Sequence, residues 1–275
     1  LRESHVAQNN NEGADMELGL SGRTAVVTGA SKGIGRAIAA GLAAEGCKLH
    51  IVSRTRETIE RAAQEIGEQY GVSVTAHALD LSTSKNIKTL LEAAGDADIL
   101  VNNAGAIPGG DLQAIDEARW REAWDLKVFG YINLCRAFYA AMQERGSGVI
   151  VNVTGLAADR LDTNYIAGSS GNASLNAFSR ALGSNSFKDG IRVVAISPGA
   201  VETQRLVTLM KTKAEKEFGD AGRWREFVGG LPYGRPATVD EVANVAVFVA
   251  SDKASYLSGI VINVDGGHSA RGGAF

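Results

Sequence analysis

A glycine-rich run near the start of the chain has the residue types and spacing of a phosphate-binding turn. It reads Thr28-Gly29-Ala30-Ser31-Lys32-Gly33-Ile34-Gly35. Gly29 permits a tight turn, Gly33 removes a side chain where the backbone must approach phosphates, and Gly35 lets a helix pack on the preceding strand. A purely structural turn is the alternative, but the strand before the run and the helix after it favour a ligand site. The run is therefore predicted to bind the pyrophosphate of a nicotinamide dinucleotide.

The end of the second predicted strand indicates which nicotinamide dinucleotide is preferred. Ser53 and Arg54 end this strand, and no acid is present to bind the ribose 2′-hydroxyl of NAD(H). Together with Ser31 and Lys32 of the glycine run, they offer the guanidinium and hydroxyl donors that suit a 2′-phosphate. The alternative is that Arg54 and Lys32 are ordinary solvated charges. The sequence predicts that NADP(H) is favoured over NAD(H).

Alternating strands and helices must position these residues. Apolar runs predict strands at 24–27, 48–52, 73–79, 98–101, 149–153, 192–196 and 260–264. Helical periodicity predicts helices at 34–45, 57–70, 84–94, 117–144 with a break near its start, 165–186 and 239–250. This alternation predicts an α/β fold of the Rossmann type, a doubly wound parallel sheet of about seven strands with helices on both faces.

Domain organisation follows from where the alternation begins and where it is interrupted. Residues 1–15 are polar and are predicted to be a tag or mobile arm, and residues 16–275 to be a single domain. A long charged excursion around 203–234 follows a strand end and carries several apolar residues. Such an excursion is typical of a lid, here over a moderately hydrophobic small-molecule substrate.

Composition excludes several classes of partner. The net charge is −3, which gives no electrostatic footprint for nucleic acid or for an anionic membrane surface. No apolar run approaches the roughly 18 residues of a membrane span. Cys47 and Cys135 lie in apolar segments and are predicted to be buried free thiols, which is typical of a reducing cytoplasm. A cytoplasmic protein with no nucleic-acid and no membrane partner is expected.

Further motifs extend the pattern from about residue 20 to 268. They are Asp80-Leu81-Ser82, Asn102-Asn103-Ala104-Gly105, Pro198-Gly199 followed by Thr203, and Val264-Asp265-Gly266-Gly267. With the glycine run, they resemble the short-chain dehydrogenase/reductase family. The resemblance implies that Asp80, beside Leu81, contacts the adenine, and that Asn103, Ala104 and Gly105 line the cofactor cleft. It also implies that Pro198 and Gly199 lie on the nicotinamide side, where Thr203 holds the carboxamide.

The catalytic positions of the family depart from its pattern here. The family catalyses with Asn, Ser, Tyr and Lys, in which Tyr moves the proton and Lys lowers its pKa. A gap-free alignment through the segment 178–182 puts Gly168 at the Tyr position, Asn172 at the Lys position and Gly155 at the Ser position. Alignment of the preceding helix puts Lys127 at the Asn position. All four standard residues are therefore predicted to be replaced.

Four nearby residues suggest a rearranged site. In this hypothesis Tyr165 is the acid/base, Lys127 lowers its pKa, and Thr154 and Asn172 are polar positioning residues. Tyr165 precedes the family's Tyr position by three residues, which is about 4.5 Å along a helix axis. A change of backbone conformation before the helix would be needed to offset that distance. The alternative is that Tyr165 packs in a loop and that Lys127 forms a structural ion pair or faces solvent.

The predicted function is NADP(H)-dependent hydride transfer between nicotinamide and a carbonyl/alcohol substrate. One alternative is a catalytically silent dinucleotide-binding regulator or scaffold, although the retained Pro198, Gly199 and Thr203 argue against it. Another is a reductase of a different substrate class, such as an enone. The resemblance also implies a homo-oligomer, either a tetramer or a dimer, in which the helices predicted at 117–144 and 165–186 pair.

Overall fold

The computed structural model describes residues 16–271, and in this range the chain forms one seven-stranded parallel sheet. The spatial order of the strands is β3-β2-β1-β4-β5-β6-β7. The strands are β1 (Thr24–Thr28), β2 (Lys48–Ser53), β3 (Val74–Ala78), β4 (Ile99–Asn102), β5 (Gly148–Val153), β6 (Ile191–Pro198) and β7 (Ile260–Val264). The predicted α/β doubly wound fold is confirmed. The prediction for residues 1–15 lies outside the described residues.

Helices cover both faces of this sheet. They are α1 (Gly33–Ala44), α2 (Arg56–Tyr70), α3 (Ser84–Ala94), α4 (Glu117–Trp124), α5 (Gly130–Arg145), α6 (Ile166–Gly183), α7 (Gln204–Phe218) and α8 (Val239–Ala250). One apolar cluster packs α1, α2 and α8 on one face, and a second packs α3, α5 and α6 on the other. Val26 and Val27 point into different clusters, as successive strand residues must. Burial on both faces explains why the central strands are continuous apolar runs.

The strand order reverses between β1 and β4. Chain connections leave these two neighbours toward opposite sides of the sheet, which opens a crevice at their carboxyl ends. The loop after β1 is the glycine run, and the loop after β4 begins at Asn103. The topology therefore brings these two motifs to the same edge of the sheet, where parallel α/β folds bind their ligands.

Two predicted helices bear on the site. The helix predicted at 117–144 has the expected break near its start, where a π-helical turn spans Asp125–Phe129 between α4 and α5. Such turns inside α-helices are frequent at functional sites, and this one carries Lys127. The helix predicted at 165–186 is shorter at both ends, and its first predicted residue, Tyr165, is the N-cap of α6 with φ −140° and ψ 38°.

The excursion after β6 forms a small layer with its own apolar centre. Helix α7 and a 3₁₀ segment, Ala221–Phe227, pack together around buried Ala214, Trp224 and Val228. We call residues 204–231 the lid. Its cluster is separate from the two clusters that flank the sheet. None of the helices described between residues 16 and 271 is long and apolar enough to span a membrane.

Candidate active site

The glycine run is fixed to the loop after β4 by hydrogen bonds from backbone amides. The Asn103 and Ala104 N–H groups donate to Thr28 Oγ1 at 2.9 and 3.0 Å, and Asn103 Nδ2 donates to the Thr28 carbonyl at 3.0 Å. Gly29 has φ +67°, and a Cβ there would lie 2.9 Å from Ala104 Cα. The close approach of the two loops therefore requires glycine at this position.

The amino end of α1 lies open above this junction. Gly33 has φ +60°, and a Cβ there would approach the Thr203 methyl group at 3.6 Å. Lys32 is exposed, whereas Ser31 and Ile34 are part-buried. Gly35 is packed under the turn against Asn103 Nδ2. Exposed backbone N–H groups at the start of a helix form a cradle for a diphosphate. The turn has the geometry of such a cradle, and the pyrophosphate site stays a prediction.

The carboxyl end of β2 adjoins the same turn. The Gly29 N–H donates to the Val52 carbonyl at 2.8 Å, which brings Ser53 and Arg54 alongside the glycine run. Ser53 Oγ is buried and has no hydrogen-bond partner, and Arg54 is exposed and joins no salt bridge within residues 16–271. Buried hydroxyls are rarely left unpartnered, so Ser53 fits an anionic ligand such as a 2′-phosphate.

A cleft of about 300 Å³ continues from this point between the loop after β4 and α4. Asp80 lies on its wall, with Oδ1 accepting from the Ser82 N–H at 3.0 Å, and Leu81 is buried beneath in the sheet cluster. The cleft is lined by Arg54, Asp80, Ser82, Ala106, Ile107, Pro108, Arg119, Glu122, Ala123, Leu126 and Arg205. The cleft contains Arg54 and Asp80, two of the residues that the sequence analysis assigned to the cofactor.

The residues assigned to the nicotinamide side lie at the end of β6. Pro198 ends the strand, and the Gly199 N–H donates to the Val264 carbonyl at 3.0 Å. Thr203 caps α7, with Oγ1 accepting from the Leu206 N–H at 3.3 Å. Because Thr203 also lies beside Gly33, the first turn of the lid borders the phosphate cradle.

The Tyr165 ring occupies the space of the side chain that Gly168 lacks. A Cβ on Gly168 would overlap Cε1 and Cζ of Tyr165. The backbone at Tyr165 is non-helical and the ring lies over the first turn of α6, while the catalytic role of Tyr165 stays a prediction. The ring packs on the small cluster that contains Ile107 and Ala167. Burial raises the pKa of the Tyr165 phenol, and the nearby Arg205 charge opposes that rise.

Lys127 is buried beside the end of β5. Its Nζ donates to the Tyr131 hydroxyl at 2.7 Å and to the Val153 carbonyl at 2.6 Å. The aliphatic stem packs on Gly105, where any Cβ would overlap it. Burial lowers the pKa of the Lys127 ammonium to about 7. The ammonium does not face solvent and has no carboxylate partner in the described chain, while its effect on Tyr165 stays a prediction.

The two predicted positioning residues have different surroundings. Thr154 donates its hydroxyl hydrogen to the Ile196 carbonyl at 3.1 Å, which fixes it to β6. Asn172 donates from Nδ2 to the Gly168 carbonyl at 2.9 Å, and its buried Oδ1 has no partner. Gly155 leaves the space next to Asn172, since a Cβ there would lie 3.3 Å from Nδ2. Of the two, Asn172 keeps a buried polar atom without a hydrogen-bond partner in the described chain.

Arg205 is a site residue that the sequence reasoning missed. It is the second residue of α7, lines the cleft beside α4 and donates from Nη2 to the Ile107 carbonyl at 3.0 Å. It is also the charge that opposes the rise in the pKa of Tyr165 caused by burial. Its only signal in the sequence is its place two residues after Thr203, at the start of the lid.

The fold and the site define a class: an oxidoreductase that binds a nicotinamide dinucleotide at the carboxyl edge of a Rossmann-type sheet. Residues 29–269 match the family model described as enoyl-(acyl carrier protein) reductase. The chain belongs to the short-chain dehydrogenase/reductase family. It is an NAD(P)-dependent oxidoreductase: relatives are named dehydrogenases and reductases, and a similar solved structure contains NADPH.

Similar proteins have diverse substrates. A galactitol 2-dehydrogenase (L-tagatose-forming) from Cereibacter sphaeroides is 33% identical over 252 residues, 91% of this chain and 96% of the relative. A 3-oxoacyl-[acyl-carrier-protein] reductase from Escherichia coli is 32% identical over 257 residues, 91% and 98%. The crystal structure of L-sorbose reductase from Gluconobacter frateurii, complexed with NADPH and L-sorbose, has a TM-score of 0.88 at 32% identity, covering 93% of this chain and all of that one.

Proposed function

We propose that this protein transfers hydride between NADP(H) and a carbonyl/alcohol substrate, with Tyr165 as the acid/base. One observation supports the catalytic part: the Tyr165 ring fills the space above Gly168, the position that the gap-free alignment assigns to the family's tyrosine. In this proposal the phenol serves the site from the preceding turn. When bound, the nicotinamide supplies or accepts the hydride.

The protein residues would move and position the proton. The Tyr165 hydroxyl donates its proton to the substrate oxygen during reduction and takes it back during oxidation. Lys127 lies next to Gly105, and its lowered pKa lets the ammonium give up or take back a proton more readily than an ordinary lysine. The free Oδ1 of Asn172 accepts a hydrogen bond from the substrate or from water, and Thr154 holds the end of β5 in place.

Replacement of Tyr165 by Phe tests the acid/base role. We expect kcat/KM to fall by about 100-fold or more, because positioned proton transfer contributes on that scale. The dissociation constant for NADPH should stay the same. Tyr256→Phe is the matched control, since this tyrosine is fully exposed and far along the chain. Full turnover in Tyr165→Phe would disprove the role.

The cofactor preference rests on Ser53 and Arg54. A charge-assisted contact contributes about 1.5–3 kcal/mol, so Arg54→Ala should weaken NADPH binding by roughly 10- to 100-fold. NADH binding should hardly change, because NADH lacks the 2′-phosphate. Arg56→Ala is the control, as it removes an exposed arginine that is paired with Glu60. Tighter binding of NADH than of NADPH by the unmodified protein would contradict the preference.

The names of relatives guide the choice of substrates. A galactitol dehydrogenase and an L-sorbose reductase favour polyol/ketose pairs as the first panel, followed by 3-oxoacyl and steroid carbonyls. Initial rates followed at the nicotinamide absorbance would rank them.

We also propose a homo-oligomer, because Phe129 is half exposed at the helices that flank the site. Light scattering coupled to size exclusion measures the assembly, and a monomeric mass would contradict it.

A further inference from the structure

Arg205 joins the lid to the far side of the cofactor cleft. Its Nη2 donates to the Ile107 carbonyl at 3.0 Å. In the described chain, the other side-chain hydrogen bonds of residues 204–231 stay within the lid or end on its N-cap, Thr203. The lid therefore has one hydrogen-bonded attachment to the loop across the cleft, and Arg205 provides it.

The same loop connects Arg205 to Tyr165. Ile107 is 3% exposed and belongs to the cluster on which the Tyr165 ring packs. A few residues on, the Gly110 N–H donates to the Asn164 carbonyl at 2.7 Å, next to Tyr165. The loop is thus bonded to the lid at one end and to the segment that holds the phenol at the other.

The positive charge of Arg205 is not neutralised by a salt bridge in the described chain, so it can act on the Tyr165 phenol. No carboxylate forms a salt bridge with it in the part of the chain that the structure describes. One of its five N–H groups is used by the Ile107 carbonyl, which leaves the remainder of the planar fork for other acceptors. A fixed positive charge close to a phenol favours the phenolate form.

We propose that Arg205 is a positioning residue that closes the lid across the dinucleotide cleft and, when closed, supplies the positive charge beside the Tyr165 phenol. The proposal deepens the proposed function and rests on it. Closure and activation are then coupled, because the same guanidinium makes the attachment and provides the charge. With the lid open, the phenol loses its cation and the cofactor gains an exit.

Two variants at this position separate the roles of charge and shape. Arg205→Met removes the charge and the hydrogen bond but keeps a long flexible side chain. Arg205→Lys keeps the charge and loses the fork. Lys211→Met is the matched control, since it removes an exposed positive charge from the same helix. All three leave the glycine run and Tyr165 unchanged.

Release of NADPH tests closure. Stopped-flow displacement of bound NADPH should be about three- to tenfold faster in Arg205→Met, the loss expected for one hydrogen bond. Arg205→Lys should recover part of that difference, and Lys211→Met should match the unmodified protein. An unchanged release rate in Arg205→Met would overturn the proposal.

Ionisation of Tyr165 tests the charge. The ultraviolet tyrosinate signal of Tyr165 is obtained by subtracting the pH titration of the corresponding Tyr165→Phe protein. Its midpoint should rise by about one pH unit in Arg205→Met and by less in Arg205→Lys. Equal midpoints in Arg205→Met and Lys211→Met would overturn the proposal. Both readouts are independent of turnover, so failure here is distinct from failure of the acid/base role, which the turnover of Tyr165→Phe reports.

Discussion

At the scale of single residues, the position of the Tyr165 ring depends on Gly168 having no side chain. The Tyr165 ring and a Cβ at position 168 compete for the same space. Gly168→Ala should therefore displace the phenol while its better helix propensity offsets the local strain. We expect kcat/KM to fall by about 100-fold, as a misplaced catalytic group does, with little change in the melting temperature.

The control for this substitution is Gly67→Ala. Gly67 is also helical, and a Cβ there would meet its nearest neighbour, the Val72 carbonyl, at 3.4 Å, which is ordinary contact. This variant should keep full activity. Circular dichroism melts and initial rates on both variants provide the comparison. Equal activity in Gly168→Ala and Gly67→Ala would show that the ring position does not matter.

The buried ammonium of Lys127 predicts a dependence of stability on pH. Its pKa is about 7 in the folded protein and 10.5 ordinarily, so the unfolded chain binds the proton more tightly. The protein therefore loses stability, relative to Lys127→Met, as pH falls from about 10 to about 7, and the difference is constant below that. Tyr131 still donates to the Val153 carbonyl in the variant, so no buried hydroxyl loses all its partners.

Urea unfolding of both proteins at several pH values measures this difference. The free energy of unfolding of the unmodified protein minus that of Lys127→Met should decrease from pH 10 to pH 7. A difference that does not vary with pH would mean that the Lys127 pKa is close to its ordinary value. Groups that titrate equally in both proteins cancel in the subtraction.

At the scale of elements, the lid is a layer with its own apolar centre. Trp224 is 4% exposed inside that centre. Trp224→Ala should lower the free energy of unfolding by about 3–5 kcal/mol. We expect the lid alone to be destabilised, because its cluster is separate from the sheet clusters. We expect faster tryptic cleavage at Lys211 and Arg223 and faster NADPH release, with the main unfolding transition nearly unchanged.

Phe187→Ala is the control for the lid variant, because Phe187 is a largely exposed aromatic residue outside the lid. Its cleavage pattern and release rate should match those of the unmodified protein. A Trp224→Ala protein that loses its main transition along with the lid would show that the two layers unfold as one unit.

The elements were predictable from the sequence to different degrees. Apolar runs and the glycine turn predicted all seven strands, because central parallel strands are buried on both faces. The conformation of Tyr165 was not predictable, since its φ and ψ depend on the bonds of the adjacent loop and not on local propensity. Arg205 was missed for a similar reason, because its partner, the Ile107 carbonyl, is distant in sequence. The apolar pattern of the sequence identifies strands and helices, whereas contacts between loops determine where the side chains of the site lie.

At the scale of the whole molecule, each face of the sheet contains one buried thiol. Cys47 lies in the cluster with α1 and α8, and Cys135 lies in the cluster with α3 and α5. Burial raises the pKa of each thiol to about 12. Both should resist alkylation at pH 8 and react at the rate at which the whole domain opens.

Labelling with a thiol reagent, followed by mass spectrometry, measures that rate for each face. Both thiols should react together and about 100-fold more slowly when NADPH is present at about 100 times its dissociation constant, because ligand binding stabilises the folded state. Independent labelling of Cys47 and Cys135 would show that the two faces open separately. The ratio of the two rates therefore reports cooperativity across the sheet.

The exclusion between the Tyr165 ring and a side chain at position 168 also constrains how such a site can arise by successive mutations. A tyrosine at both positions cannot be accommodated with the ring in its present place. A mutational path that introduces a side chain at position 168 must therefore pass through, or coincide with, a displacement of the Tyr165 ring. The order of two such substitutions would matter, because a side chain gained at position 168 alone should push the ring away before any second change could compensate.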